Sequence, residues 1–493
     1  MFKNFLLVHK KTLKFFLRTQ STIYALSSGQ GKCGVAVIRV SGASTELALQ
    51  CLTGLSNPKP RTAILRSIKH PSNHEILDKG LILWFPGPHS FTGEDCCEFH
   101  VHGGIAVVNS VLNALGSLPD LRLAEPGEFT RRAFHNGKLD LTEVEGLADL
   151  LQAETEIQRK QAFLQTQGAL SKLYNKWRGS LIKSVAHIEA HIDFEETETI
   201  DEGVLEHIVK EIETMRDEID KHLNDGRKGE LLRNGVKTVI LGEPNVGKSS
   251  LLNLLCKRPA AIVTPVEGTT RDILEVTLNI EGYPLVLADT AGLRTETDDI
   301  VEKEGIIRAK RSYECADLVI LVIDSEKYYS WLHNHSSGST TDYLKFYVEK
   351  LGLHDLLNYE SNDEIFTKEC IIVFNKLDLV ENSLNLQNSS QINCLSCKSE
   401  DGVPDLVNSI SNKLKVLCGE PSAEHPSMNQ VRHRQHLSNC LKCLNSSLEK
   451  SSNDTVLMAE SLRKALRHLG YLVGVTTTEQ LLDVIFKDFC IGK

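Results

Sequence analysis

Gly242-Glu-Pro-Asn-Val-Gly247-Lys248-Ser249 is the stretch on which the reading of this chain turns. It follows the apolar run Val236–Leu241, which reads as a strand, and leads into a helix predicted over Ser250–Lys257. Strand, glycine-bounded loop and helix in that order build a phosphate-binding turn. The glycines let the backbone curl round a β-phosphate, and the helix N-terminus adds a positive dipole. Lys248 is placed to reach the β- and γ-phosphates, and the Ser249 hydroxyl to hold Mg²⁺. Further apolar runs, Asp317–Ile323 and Cys370–Phe374, alternate with helical segments up to about Leu417, which predicts a parallel α/β sheet.

The elements downstream specify the nucleotide. Asp289-Thr-Ala-Gly292 ends the run Leu285–Ala288, setting an acid near the metal and a glycine amide near the γ-phosphate. Gly268-Thr269-Thr270-Arg271 lies between, where the Thr270 hydroxyl joins Mg²⁺ in the triphosphate state. Asn375-Lys376-Leu377-Asp378 follows the strand Cys370–Phe374. The Asp378 carboxylate accepts from guanine N1–H and N2–H₂, donors that adenine does not offer. Ser396-Cys397-Lys398 closes on the base, while Val246, Gly247 and Ser250 complete the loop contacts. Asn375–Asp378 by itself also reads as a turn; the ordered set does not. The sequence therefore predicts a GTPase. Ras-like enzymes place a water-orienting Gln after the switch glycine, and Leu293 stands there instead. Hydrolysis then needs another polar group or a cation. Asn245 is one candidate, as ligand to a monovalent ion. Glu302 is another, as water orienter, against a plain reading as a solvated helix carboxylate.

Composition, with 41% hydrophobic and 24% charged residues among 493, is that of an ordinary globular protein, and the formal charge of −10 announces no polyanion partner. The N-terminus differs. No acid occurs before Glu46, while Lys3, Lys10, Lys11, Lys14 and Arg18 interleave with Phe2, Phe5, Leu6, Leu13, Phe15, Phe16 and Leu17. That is the pattern of a mitochondrial transit peptide over 1–20, with apolar runs too short to span a membrane. The alternative is a disordered basic arm. Thirteen scattered cysteines do not form a disulfide framework in such a compartment. The pairs Cys394/Cys397 and Cys440/Cys443 evoke zinc only formally, and no membrane-spanning helix is expected.

Texture divides the chain into 21–138, strand-rich; 139–235, proline-free and helical; 236–418, the α/β domain; and 419–493, helical again. One helical domain interrupted by the inserted α/β domain is the economical reading. Ser325–Lys368, with its polar His333–Ser339, reads as a surface insertion.

Motifs outside the nucleotide loops carry a resemblance. Gly34-Val-Ala-Val-Ile-Arg39-Val-Ser-Gly42, Phe85-Pro-Gly-Pro-His-Ser-Phe-Thr-Gly-Glu-Asp95, His102-Gly-Gly104, Pro126-Gly-Glu-Phe129, Lys138-Leu-Asp-Leu141 and Phe489-Cys-Ile-Gly-Lys493 resemble the tRNA-modification GTPase family MnmE/TrmE, in its mitochondrial form. The resemblance implies a multidomain α/β plus α fold: an N-terminal α+β folate-binding and dimerisation domain, a discontinuous helical domain, and an inserted Ras-like doubly wound G domain. It implies a homodimer in the matrix working with an MnmG-type flavoprotein on C5 of the wobble uridine of mitochondrial tRNA. A 5-formyl- or methylene-tetrahydrofolate would donate the carbon, with Arg39, Glu98, Lys138 and Lys493 lining its site. Asn245, Thr264, Val266 and Thr269 would surround K⁺, Thr264 and Thr269 also lying at the nucleotide. Glu302 would position water, and Cys490 would be catalytic. A ribosome-assembly or RNA-binding GTPase and a membrane-remodelling GTPase are the rival readings, without a recognisable RNA module or lipid-facing segment to support them.

Overall fold

The computed structural model describes residues 21–194, 202–225, 227–257, 276–287, 310, 312–335, 338–358, 365–380, 392–450, 454–476, 479–487 and 489–493. The chain forms two compact units, one from Met1–Ala148, Gln165–Ala186 and Arg463–Lys493, the other from Asp149–Leu164 and His187–Leu462.

The first unit is built on a six-stranded sheet of β1 (Thr22–Leu26), β2 (Cys33–Ser41), β3 (Ile64–Lys69), β4 (Ile76–Phe85), β5 (Cys96–Gly103) and β6 (Leu121–Leu123). Their order is β3-β4-β5-β2-β1-β6, antiparallel except for the parallel pair β1–β6. Alternation decides the faces. Ile38, Val40, Phe99, Val101 and Ile82 point to one side and pack against Ala48, Leu49 and Leu52 of helix Thr45–Thr53 and Val108, Val111 and Leu115 of helix Ile105–Gly116. On the other side Ile23 and Ala25 meet Phe129 of helix Glu128–His135. Helix Glu479–Lys487 closes on Leu141 and Val144 through Leu482 and Phe486.

The second unit holds the α/β sheet: β7 (Val236–Leu241), β8 (Val276–Ile280), β9 (Tyr283–Leu287), β10 (Leu318–Asp324), β11 (Glu369–Asn375) and β12 (Ile392–Cys394). The order is β12-β11-β10-β7-β9-β8, parallel except for the β8–β9 hairpin. Buried on both faces, its strands read as continuous apolar runs. Ile240, Ile320, Val322 and Val373 pack under helix Val403–Cys418, while Val239, Leu321, Ile323 and Phe374 pack on the opposite side. That opposite side corrects the reading of 325–368 as a surface insertion. Helices Ser325–Asn334 and Thr340–Lys350 bury Tyr328, Tyr343, Leu344, Tyr347 and Val348 against the sheet. The polar tip drew the eye, but tyrosine rings supply the core beneath it.

The chain enters and leaves this sheet at one place. Helix Lys228–Asn234 precedes β7, and a Cβ on its Gly229 would stand 2.2 Å from the Met428 carbonyl oxygen beyond the sheet. Arg434 donates to Glu230 (2.7 Å) and to the Leu223 carbonyl (2.7 Å). Helix Glu202–Leu223 buries Ile208, Ile212, Met215 and Ile219 and packs on helix Val431–Lys450. Among the described residues no helix is long and apolar enough to cross a membrane.

Candidate functional site: a phosphate loop joined to a base-reading loop

β7 ends at Leu241 and the backbone bends through Gly242 and Gly247. A Cβ at Gly242 would lie 2.4 Å from the Val322 carbonyl oxygen, and one at Gly247 (φ +99°) 2.1 Å from Asn375 Nδ2. Only glycine fits either place. Asn245 is exposed in the left-handed region (φ +62°), which asparagine tolerates, while the fully buried Val246 anchors the loop. Helix Lys248–Cys256 starts at once, directing its first amides at the loop, with half-buried Ser249 and exposed Ser250 in its first turn. The Lys248 ammonium lies across the loop and donates to the carbonyls of Gly242 (2.7 Å) and Glu243 (2.6 Å). Burial lowers its pKa, opposed by the Glu243 charge.

Asn375 joins this loop to the other end of the site. Its buried side chain donates through Nδ2 to the Val246 carbonyl (2.8 Å) and accepts through Oδ1 from the Cys397 amide (3.0 Å). Lys376 sits in the left-handed region (φ +64°) and donates to Asp324 Oδ2 (2.7 Å) at the end of β10. The Ser396 hydroxyl donates to Asp378 Oδ1 (2.6 Å) and holds that carboxyl below its usual range. The same hydroxyl accepts from the amides of Lys398 and Ser399, each at 3.3 Å. Burial pushes the Cys397 thiol up to about 11, so it stays neutral. An ionised, exposed carboxylate on a fixed turn is the acceptor that guanine requires.

In the first unit Arg39 and Glu98 are register partners across β2 and β5. Arg39 donates through Nε (3.0 Å) and Nη2 (2.9 Å) to Glu98 Oε1, with its guanidinium 5.2 Å from the Phe91 ring centre and 5.8 Å from that of Phe129. Lys138 is exposed and donates to the Pro88 carbonyl (3.0 Å), in the same loop as Phe91. The tail carrying Cys490 and Lys493 lies on the end of β1. Ser27 Oγ donates to the Gly492 carbonyl (2.9 Å), the Gly127 amide donates to the Cys490 carbonyl (3.4 Å), and Ile491 bridges Pro126. Arg39 pairs with Ala25 of the same strand. The structure thus brings Arg39 and Glu98 into contact, lays the tail on the end of β1, and leaves Lys138 bonded to the loop that carries Phe91.

Residues 22–138 match the model of the GTP-binding protein TrmE N-terminus, and residues 141–490 that of the MnmE helical domain. The chain belongs to the MnmE/TrmE family, in its mitochondrial form. MnmE/TrmE relatives match it nearly end to end. The mitochondrial 5-taurinomethyluridine-[tRNA] synthase subunit GTPB3 of Danio rerio is 51% identical over 96% of this chain and 93% of its own. The Homo sapiens protein of that name is 47% identical over the same shares. The tRNA modification GTPase MnmE of Parvibaculum lavamentivorans is 44% identical over 96% of this chain and 100% of its own. Of solved structures, the G domain of the FeoB iron transporter of T. maritima is 23% identical over 36% of this chain and 97% of its own, with a TM-score of 0.22.

Within this MnmE/TrmE chain, Thr264, Val266, Thr269, Thr270, Asp289, Gly292, Leu293 and Glu302 lie outside the described residues, as does the expected transit peptide over 1–20. The hydroxyl of Ser249 and the amide of Asn245 are hard oxygen donors at the loop, which suits Mg²⁺ and K⁺. Sequence reasoning missed four contributors. Glu243, Tyr347, Lys327 and Lys350 meet at the phosphate loop, and Glu243 is buried although it stands between a loop glycine and a proline. The signal was present in Tyr343-Leu344 and Tyr347-Val348, an i, i+4 repeat that marks a buried helix face.

Proposed function

We propose that this GTPase is the GTP-hydrolysing subunit of the enzyme that modifies C5 of the wobble uridine, position 34, of mitochondrial tRNAs. The observation that carries the GTPase part is the Asn375 bridge, which holds phosphate loop and base loop as one site. Asp378 selects guanine, Lys248 binds the β- and γ-phosphates, and Ser249 with Thr270 would hold Mg²⁺, which supplies charge neutralisation between them. Asn245, Thr264, Val266 and Thr269 would hold K⁺ for the same purpose, and Glu302 would orient water. The names of the fish and mammalian relatives favour a taurine-derived substituent.

The family resemblance supports the rest of the reading. A reduced folate, 5-formyl- or methylene-tetrahydrofolate, supplies the carbon. Arg39, Lys138 and Lys493 would take its glutamate tail and Glu98 the pterin edge, and the two rings stacked on Arg39 offer an apolar wall. Cys490, exposed at the tail, would serve the chemistry. The protein works as a homodimer with an MnmG-type flavoprotein in the matrix, its leader 1–20 removed. Domain boundaries at 138, 235 and 418 accompany this reading. Mass spectrometry of mitochondrial tRNA nucleosides tests it. Cells lacking the protein should lose the C5 modification, wild-type should restore it, and Lys248→Ala should not. Unaltered wobble nucleosides in the deficient cells would overturn it.

A further inference from the structure

The phosphate-loop pattern gives no role to the residue after its first glycine. Here that residue is Glu243, and three sets of bonds converge on it. Its amide donates to Tyr347 Oη (2.9 Å), its carbonyl accepts from the Lys248 ammonium (2.6 Å), and its carboxylate takes Lys327 (2.6 Å) and Lys350 (2.5 Å). The Tyr347 hydroxyl donates onward to the Val322 carbonyl on β10 (2.8 Å), so its proton is committed and its lone pair faces the loop. Tyr347 is 2% exposed and Glu243 6%. Burial raises the carboxyl pKa, but the two lysines outweigh it and hold the group ionised.

The peptide between Gly242 and Glu243 is planar, with its N–H and C=O opposed. When Tyr347 draws the Glu243 N–H into the core, the Gly242 carbonyl must face the other way. There it accepts the Lys248 ammonium (2.7 Å). The carboxylate staple fixes the next residue, whose own carbonyl is the second acceptor for that ammonium. A buried tyrosine thus sets the direction of the Gly242 carbonyl, and the staple holds the residue whose carbonyl is the second to carry the phosphate-binding lysine. Two lysines against one carboxylate also leave a net positive charge beside the loop.

We propose that Tyr347, with the staple of Glu243 to Lys327 and Lys350, is a positioning residue for Lys248 in nucleotide binding. Tyr347→Phe keeps the ring and removes only the hydroxyl. Dissociation constants for fluorescent GDP and GTP analogues, kcat and KM for GTP, and melting temperature are measured in the full-length protein. Both dissociation constants should rise roughly tenfold, with kcat within about threefold, because the lysine meets the β-phosphate in either nucleotide. Placed on Lys248→Arg, the same substitution should add less than about twofold, since residues acting through one partner are not additive. A lowered melting temperature with unchanged dissociation constants would reduce Tyr347 to a packing residue, and full additivity with Lys248→Arg would overturn the coupling. If Tyr347→Phe does not fold, Lys327→Met with Lys350→Met carries the test, because both side chains are more than half exposed. About threefold weaker binding of both nucleotides supports the staple, and unchanged binding overturns it.

Discussion

Leu293 follows the switch glycine where Ras-like enzymes carry the glutamine that orients water. Hydrolysis therefore calls for another polar group or a cation, and Asn245, exposed on a left-handed residue of the loop, offers an oxygen for a monovalent ion. GTP turnover measured in KCl and NaCl at equal ionic strength should be faster in KCl, and Asn245→Ala should lose the difference. Equal rates in the two salts would remove the cation from the mechanism. On the proposed reading Asp378 decides the base. Its carboxylate is kept ionised by the Ser396 hydroxyl, so Asp378→Asn should weaken GTP by roughly one to three orders of magnitude and admit xanthosine triphosphate, whose 2-oxo group accepts where guanine donates. Competition binding with the two triphosphates checks this, and unchanged GTP affinity refutes it. These proposed roles could be written from the sequence because each motif names its own chemistry. The role of Glu243 was not, since Lys327 and Tyr347 stand 84 and 104 positions away along the chain.

Strands were legible almost to the residue where both faces are buried. Val236–Leu241 is β7 as predicted, while Cys370–Phe374 and Asp317–Ile323 fall within a residue of β11 and β10 at each end. Hydrophobicity alone marks such elements. Helices Ser325–Asn334 and Thr340–Lys350 failed that test because tyrosine carries their buried face, and a phenol reads as polar until its partner is known. The loops that connect the elements are governed by conformation instead. Gly247→Ala would put a methyl 2.1 Å from Asn375 Nδ2 and hold alanine at φ +99°, a strain of about 1–3 kcal/mol. The Asn375 bridge must then open. The variant should stay folded by circular dichroism yet bind guanine nucleotides roughly a hundredfold more weakly, as calorimetry would read. Wild-type affinity would show that the two loops do not depend on each other.

At the scale of the whole chain, the basic, acid-free N-terminal stretch pointed to a compartment, and the fish and human relatives are named mitochondrial. What no composition could show is that the last residues are tucked in, because termini usually fray. Here the Gly492 backbone, at φ +98°, presses so close to β1 that a Cβ would stand 2.1 Å from the Leu26 carbonyl oxygen. Ser27 holds the Gly492 carbonyl, Ile491 bridges Pro126, and the Lys493 amide turns back to Cys490 (3.4 Å). These bonds seat Cys490 and Lys493 beside the strand that pairs with Arg39, in a compact unit distinct from the one holding the phosphate loop. A tag fused after Lys493 would hang directly from the residue that follows these contacts and should strain them. Folate binding and wobble modification should then be abolished, while GTP hydrolysis stays within a few-fold of normal. Both readouts come from one preparation: nucleoside mass spectrometry of tRNA modified by the tagged protein, and phosphate release by the same sample. Full modification would mean that the tail, though packed, takes no part in the reaction. Loss of hydrolysis as well would mean that the two units depend on each other for folding.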